Sequence, residues 1–229
     1  RTTRRPDQRL TRARPTTVTD RPHNLAIETS SRRGFVALGR GDDILEVVEL
    51  PPKRRHNLDL VPTIDALCQR YGLGPADLGE LYVSLGPGSF TGLRIAVATA
   101  KMLALTVGVK IVGVPTLDLL CAQHPGAMVC LNVKRDTAWS AAAPTNGSHA
   151  DAAYPPALRS LDDIRATGLP RVADTLDDAT PAEPDVRVLH RLGRAAAADN
   201  GYHDPLTLLP EYVREPEAVT LWDQRHAEN

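Results

Sequence analysis

Short apolar runs separated by polar turns characterise the first part of the chain. Residues 25–27 (LAI), 35–38 (FVAL) and 44–50 (ILEVVEL) each predict a strand, with turns at 32–34 and 39–43 between them. Runs of this length, bounded by glycine-containing turns, are typical of an antiparallel meander.

Helical spacing begins after this meander. Leu60, Ile64 and Leu67 recur at intervals of four and three residues, which predicts a helix with one buried face. Asp59 is the predicted N-cap, and it would place Pro62 in the first turn, where the missing N–H costs little.

A third pattern joins a strand, 81–85, through the glycine-rich turn 86–92 to a long helix. Glycines permit close approach of the backbone, and the start of a helix offers unpaired N–H groups to an anion. The turn is therefore either a phosphate cradle or a tight connection with nothing bound. It is not a Walker A loop, because no Lys-Ser or Lys-Thr follows its last glycine. The residues that would form the cradle are Gly86, Gly88, Ser89, Thr91 and Gly92.

The helix after this turn is apolar around almost its whole circumference. Arg94 and Lys101, seven residues apart, mark one narrow polar stripe. A surface helix needs only one apolar face, so burial on a second side is predicted, either by the fold or by a partner. We favour a partner, because a two-layered lobe leaves its helices half exposed. The residues assigned to this interface or to the core are Leu60, Ile64, Leu67, Arg94, Val97, Lys101, Met102 and Leu105.

The rest of the chain predicts a strand at 111–114, a short helix at 116–122, strands at 128–133 and 137–143, and a helix at 188–198. The order up to the strand at 111–114 is β-β-β-α-β-α-β. The predicted division of the chain is a disordered basic tail (1–22), a first lobe (23–115) completed by a helix near 187–199, a second, divergent lobe (116–186) and a C-terminal segment (200–229).

Charge changes this picture only at the N-terminus. Residues 1–24 carry seven arginines and two aspartates, a net charge of +5, and the rest of the chain carries −6. An acidic body is a poor surface for nucleic acid, so any RNA would be held by a partner or by the tail.

The 42% apolar content is that of a soluble globular protein, and no run approaches a membrane span. Three widely spaced cysteines fit a reducing compartment.

Candidate chemistry is sparse. Glu28, Thr29 and Ser30 lie between two strands, where actin-like ATPases place a carboxylate and hydroxyls near phosphate and metal. The alternative is a polar hairpin turn. The seven histidines are scattered without a ligand pair, so neither a metal site nor a catalytic residue is predicted.

The sequence resembles the TsaB (YeaZ) family, the dimerisation subunit of the bacterial machinery that makes N6-threonylcarbamoyladenosine in tRNA. The segments that carry this resemblance are LAIETSS (25–31), HNLDLVPTID (56–65), GPGSFTGLRIAVATAKMLAL (86–105), VGVPTLDLL (112–120) and PEYVR (210–214). The resemblance is close over residues 24–125 and weak in the C-terminal lobe.

The resemblance implies an α/β actin-like (ASKHA) fold of two lobes, with a reduced second lobe. It further implies a cytoplasmic, non-catalytic scaffold that binds and activates a TsaD-like transferase, which modifies adenosine 37 of tRNA, together with a TsaE-like ATPase. ATP, ADP and metal would belong to these partner subunits, and tRNA would be reached only through the complex. An exposed apolar patch also favours self-association of the free protein.

Several positions depart from the family pattern. Thr116 and Leu120 stand where the catalytic relative has metal-binding histidines, Glu28 replaces an aspartate, and residues 132–134 (NVK) replace Asp-Ala-Arg. These changes weaken a case for metal-assisted phosphate chemistry. The resemblance thus implies a vestigial nucleotide site made of Glu28, Thr29, Ser30, Gly86, Gly88, Ser89, Thr91 and Gly92.

Two other functions remain open from sequence. One is an ATP-using phosphotransferase or hydrolase of the same fold, with Glu28 and the turn 86–92 around the phosphates. The other is a module that binds tRNA directly through its arginine-rich tail.

Overall fold

The computed structural model describes residues 22–51, 56–145 and 154–213. The predicted disordered tail therefore lies outside the described residues, apart from its last residue. The described elements are β1 (His23–Glu28), β2 (Phe35–Arg40), β3 (Asp43–Glu49), α1 (His56–Arg70), β4 (Leu78–Gly86), α2 (Phe90–Val107), β5 (Lys110–Pro115), α3 (Thr116–Gln123), β6 (Met128–Lys134), β7 (Thr137–Ala142), β8 (Ala157–Ser160), α4 (Leu161–Ala166), β9 (Arg171–Ala173), β10 (Thr180–Pro181) and α5 (Val186–Asn200).

The first sheet has the strand order β3-β2-β1-β4-β5. The meander β1-β2-β3 is antiparallel, whereas β4 and β5 run parallel to β1. The order β-β-β-α-β-α-β predicted from the sequence is confirmed. Every residue of β4 is buried, because this central strand has helices on both of its faces.

Helices α1 and α2 cover one face of this sheet, and α3 and α5 cover the other. Leu25 and Ile27 face the first pair of helices, and Ala26 and Tyr82 face the second pair. This alternation follows from the two-residue period of a strand. The C-terminal helix α5 thus belongs to the core of the first sheet, although it follows the second sheet in sequence.

A second sheet, of order β10-β9-β6-β7-β8, contains the strands after residue 127. Helix α3 contributes to the cores of both sheets. Its Leu119 packs with the first sheet, and its Leu117 and Leu120 pack with Val129 of the second. The helix therefore connects the two lobes.

The start of α1 differs from the prediction. The helix begins at His56, before the expected cap Asp59, so Pro62 lies inside the helix. Pro62 is exposed. Because proline has no backbone N–H, one intrahelical hydrogen bond is missing on the solvent side of the helix.

Residues 202–212, which we call the C-terminal strap, return from α5 to the first sheet. His203 N donates to Ile111 O at 2.8 Å, and Glu211 N donates to Leu85 O at 2.8 Å. Gly113 N donates to the ring Nδ1 of His203 at 3.3 Å. The strap therefore starts at the edge strand β5 and ends beside the glycine-rich turn.

A buried carboxylate fixes α5 and the strap to the base of the sheet. Glu80 accepts hydrogen bonds from Tyr82 Oη and Tyr202 Oη, both at 2.6 Å, and its Oε2 lies 3.1 Å from Arg194 Nη1. Arg194 also bonds Asp42 at 2.6 Å. Burial and the Glu80 carboxylate raise the pKa of Tyr202 to about 12. The phenols therefore remain donors throughout the neutral range.

Replacing Arg194 by methionine is expected to destabilise the fold by about 2 kcal/mol, because Glu80, 8% exposed, loses its cationic partner but keeps two phenol donors. The control is Arg187→Met on the same helix, whose 60%-exposed side chain faces Asp185 at 3.6 Å. Its expected cost is about 0.5 kcal/mol or less. Urea unfolding measures both, and equal losses would contradict the assignment.

Candidate functional site

The glycine-rich turn and the β1–β2 turn, two segments of the predicted nucleotide site, lie directly against each other. Ser89 N donates to Ser30 O at 2.6 Å, and Thr29 Oγ1 donates to Gly92 O at 2.9 Å. The structure thus brings together the residues that the sequence assigned to one site.

Close packing of these two turns explains two of the glycines. A Cβ added to Gly88 would collide with Ser30, and a Cβ added to Gly92 would collide with the carbonyl of Thr29. The glycines therefore permit contact between two segments of the chain itself, without requiring an anion.

Two of the N–H groups that a phosphate would use are already bonded. Ser89 N bonds Ser30, and Gly92 N donates to the N-cap hydroxyl of Ser89 at 3.2 Å. The regular hydrogen bonds of α2 then begin with Leu93 N, which donates to Ser89 O at 2.9 Å. The turn consequently caps α2 and ties it to β1, and its geometry does not favour the phosphate-cradle interpretation.

Glu28 is fully buried and bonded to its own turn. Its Oε1 accepts from Ser30 N at 2.6 Å and from Ser30 Oγ at 2.5 Å. Burial raises its pKa to about 7, although the bonds from Ser30 act in the opposite direction. A side-chain hydrogen bond with Ser84 also acts to lower this pKa, and the buried hydroxyl of Thr116 has no hydrogen-bond partner among the described residues. The carboxyl therefore stabilises the β1–β2 turn.

The predicted interface residues fall into three groups. The first group is buried in the core between the helices and the first sheet, and it consists of Leu60, Ile64, Leu67 and Val97.

Arg94 and Lys101, the predicted polar stripe, hold the C-terminal strap. Arg94 Nε donates to Tyr212 Oη at 2.9 Å and stacks over Phe90 at 3.8 Å. Lys101 Nζ lies 3.3 Å from Leu206 O and 3.1 Å from Leu208 O. Part of the second-side burial predicted for α2 is thus supplied by the chain itself. The sequence showed the PEYVR motif but gave no sign of what it contacts.

Met102 and Leu105 form the third group, and they are exposed by 45% and 60%. Ala98, one turn before Met102, is also exposed. On α1, Val61 is 46% exposed and Ala66 lies on the outer side. We call these five residues the outer helix face. Apolar and small side chains of this kind permit close packing of another helix.

The thiols are not available as nucleophiles. Burial raises the pKa of Cys68 and of Cys130 to about 11, and that of Cys121 to about 12. Since the thiolate is the reactive form, these cysteines are packing residues. Within the part of the chain that the structure describes, no three metal-ligating side chains come together.

The sequence-based expectation that no run approaches a membrane span is wrong for α2, whose 18 residues have the length and composition of such a span, with a mean hydropathy of 1.4. However, its buried side, including Leu93, Ala96, Ala100 and Leu103, packs into the first lobe. It is therefore a core helix of a globular lobe.

Comparisons with known proteins agree with this architecture. The family model for TsaD, the tRNA N6-adenosine threonylcarbamoyltransferase, matches residues 48–144. TsaB of Bacillus subtilis is 36% identical over 99 residues, which are 43% of each chain. An uncharacterized Mycobacterium tuberculosis protein, Rv3421c, is 29% identical over 210 residues, 86% of this chain and 94% of its own length. The match thus spans less than half the length of the Bacillus relative.

The structure of YeaZ from Pseudomonas aeruginosa matches with a TM-score of 0.64 and 20% identity, over 83% of this chain and 99% of that one. Two mixed sheets flanked by helices, with this match, define an α/β actin-like protein of two lobes. Together with the TsaB relatives, these comparisons support assignment of the chain to the TsaB (YeaZ) family. Both predictions made from the sequence, of family and of fold class, are confirmed.

Proposed function

We propose that this chain is a non-catalytic accessory subunit in the formation of N6-threonylcarbamoyladenosine at position 37 of tRNA. It binds and activates a TsaD-like transferase in the cytoplasm, and a TsaE-like ATPase joins the pair. The proposal rests on the names of the curated relatives, which are tRNA threonylcarbamoyladenosine biosynthesis proteins. ATP, metal and tRNA are handled by the partner subunits.

The proposal that the chain binds a TsaD-like partner rests on the outer helix face. The TsaD family model matches residues 48–144, a range that includes α1 and α2. A TsaD-like partner therefore has counterparts of both helices, and two similar faces can pack about a pseudo-twofold axis. The same geometry permits a homodimer of the free chain.

Three features support an accessory rather than a catalytic role. Glu28 is bonded to its own turn, the N–H groups of Ser89 and Gly92 are used within the chain, and the thiols are buried. These arrangements stabilise the lobe that presents the outer helix face.

The test is Met102→Asp. A carboxylate buried in an apolar interface is expected to weaken binding of the organism's own TsaD homologue about 100-fold and to abolish tRNA modification by the reconstituted complex. Because Met102 is 45% exposed, the melting temperature of the free chain should be unchanged. Val97→Asp would not serve, because Val97 is 3% exposed and the substitution would disrupt the core.

The matched control is Leu158→Asp, on the second sheet, where the leucine is 49% exposed. This variant should bind and support modification as the wild type does. Full binding and activity of a folded Met102→Asp protein would refute the proposed interface. Failure of the wild type to bind the homologue would refute the proposed function.

A further inference from the structure

The C-terminal strap follows one side of α2. Residues 202–205 lie beside Ala104 and Gly108, residues 206 and 208 bond Lys101, and Tyr212 bonds Arg94. Residues 94, 101, 104 and 108 are spaced by seven, three and four, which places them on one face of the helix. The strap therefore runs antiparallel to α2, next to the outer helix face.

The three leucines of the strap differ in burial: one is buried and two are exposed. Leu208 is 5% exposed and belongs to the core of the first lobe, where it anchors the strap. Leu206 and Leu209 are exposed by 71% and 68%, the two highest values among the large apolar side chains of the described residues. The strap is thus firmly attached and still presents apolar groups to the outside.

The attachment puts these leucines beside the outer helix face. Lys101 Nζ bonds the carbonyls of residues 206 and 208, and Met102 and Leu105 occupy the same and the next turn of α2. The backbone of the strap is therefore held at the turn of α2 that carries Met102, and exposed leucines of the strap flank its attachment point. Several large apolar side chains exposed in one region of a surface often mark a binding site.

We propose that the strap forms part of the binding surface for the TsaD-like transferase, with Leu206 and Leu209 in contact with it. This inference rests on the proposed function and adds to it a second binding element beside α2. The attachment of the strap at Lys101, the residue before Met102 of the outer helix face, favours one partner covering both. Lys101 is then a positioning residue, which holds the strap against the helix and does not itself contact the partner.

The first experiment measures binding of the organism's TsaD homologue to the full chain carrying Leu206→Asp and Leu209→Asp. The dissociation constant is expected to rise at least about 10-fold, with the melting temperature unchanged because both side chains are exposed. The control is Leu158→Asp, which should bind as the wild type does. A dissociation constant equal to that of the wild type would overturn the proposal.

The second experiment tests the role of Lys101. Lys101→Met keeps the apolar stem and removes the donor to both strap carbonyls. Faster amide exchange over residues 203–211 and a dissociation constant raised about 5-fold are expected. Lys101→Arg, which can still donate to the carbonyls, should restore both values. Faster exchange with unchanged affinity would mean that the strap is structural only and would overturn the proposal.

The outcomes separate this inference from the proposed function. If Met102→Asp abolishes binding and the strap variant does not, the function stands and the strap proposal fails. If the wild type does not bind the homologue, both fail. If the strap variant changes only self-association of the free chain, a second copy covers the strap and the inference is wrong.

Discussion

Replacing Gly92 by alanine is expected to destabilise the fold by about 3 kcal/mol or more. An added Cβ would collide with the backbone carbonyl of Thr29, and hydrogen bonds between the two turns hold their backbones in place. Gly92 lies in the first turn of α2, where alanine would otherwise stabilise a helix by up to about 1 kcal/mol. Helix propensity therefore predicts that the substitution raises the free energy of unfolding, and packing predicts that it lowers it. Urea denaturation distinguishes the two.

Gly74→Ala is the matched control for this substitution. Gly74 has φ −96°, ordinary for any residue, and an added Cβ would lie 3.8 Å from Asp77 Oδ2. Its expected effect is within about 0.5 kcal/mol. A Gly92→Ala protein as stable as the wild type, or more stable, would show that the two turns are free to separate and would reopen the phosphate-cradle interpretation.

Replacing Glu28 by glutamine is expected to stabilise the protein increasingly as pH rises. The folded-state pKa of about 7 lies above the ordinary value of 4.5, so the stability present below pH 4.5 is lost as pH rises through 7. Glutamine does not titrate, and its Oε1 can still accept from Ser30. The difference between variant and wild type should therefore grow by about 2.5 kcal/mol between pH 5 and pH 8, because the folded and unfolded states release this proton near pH 7 and pH 4.5.

Glu49→Gln controls for the loss of a carboxylate. Glu49 is exposed, and its hydrogen bond with Arg33 lowers its pKa, so the difference from wild type should be constant between pH 6 and pH 8. Free energies of unfolding measured from pH 5 to pH 8 compare the three proteins. A constant difference for Glu28→Gln as well would show that the buried carboxyl is ionised throughout.

The sequence was sufficient to predict the first lobe, since apolar runs of strand and helix length, punctuated by glycine and proline, specified its element order. Only the family resemblance placed Glu28 and the glycine-rich turn in one site, and the structure shows that they stand at the ends of β1 and β4, which are parallel neighbours. The sequence could not reveal that Ser30 and Thr29 fill the space above Gly88 and Gly92, because such a contact depends on the approach of two distant turns.

The pattern of apolar residues also could not show which helix residues are buried in the core and which are exposed. Val97 and Met102 are both apolar residues of an almost wholly apolar helix, yet one is buried and the other is 45% exposed. What distinguishes them is the position of the sheet and the strap. The role of Arg94 depended in the same way on Tyr212, which is 118 residues away along the chain.

The contact between the strap and β5 also determines how this protein can associate. An edge strand ordinarily exposes unpaired N–H and C=O groups that template cross-strand aggregation. Here the carbonyl of Ile111 and the N–H of Gly113 are both occupied by His203, and Pro115 has no N–H to offer. A chain truncated before the strap would therefore regain an open edge at β5. By bonding these two groups of β5, the strap reduces the backbone that this edge offers to another strand and leaves the helix faces for assembly.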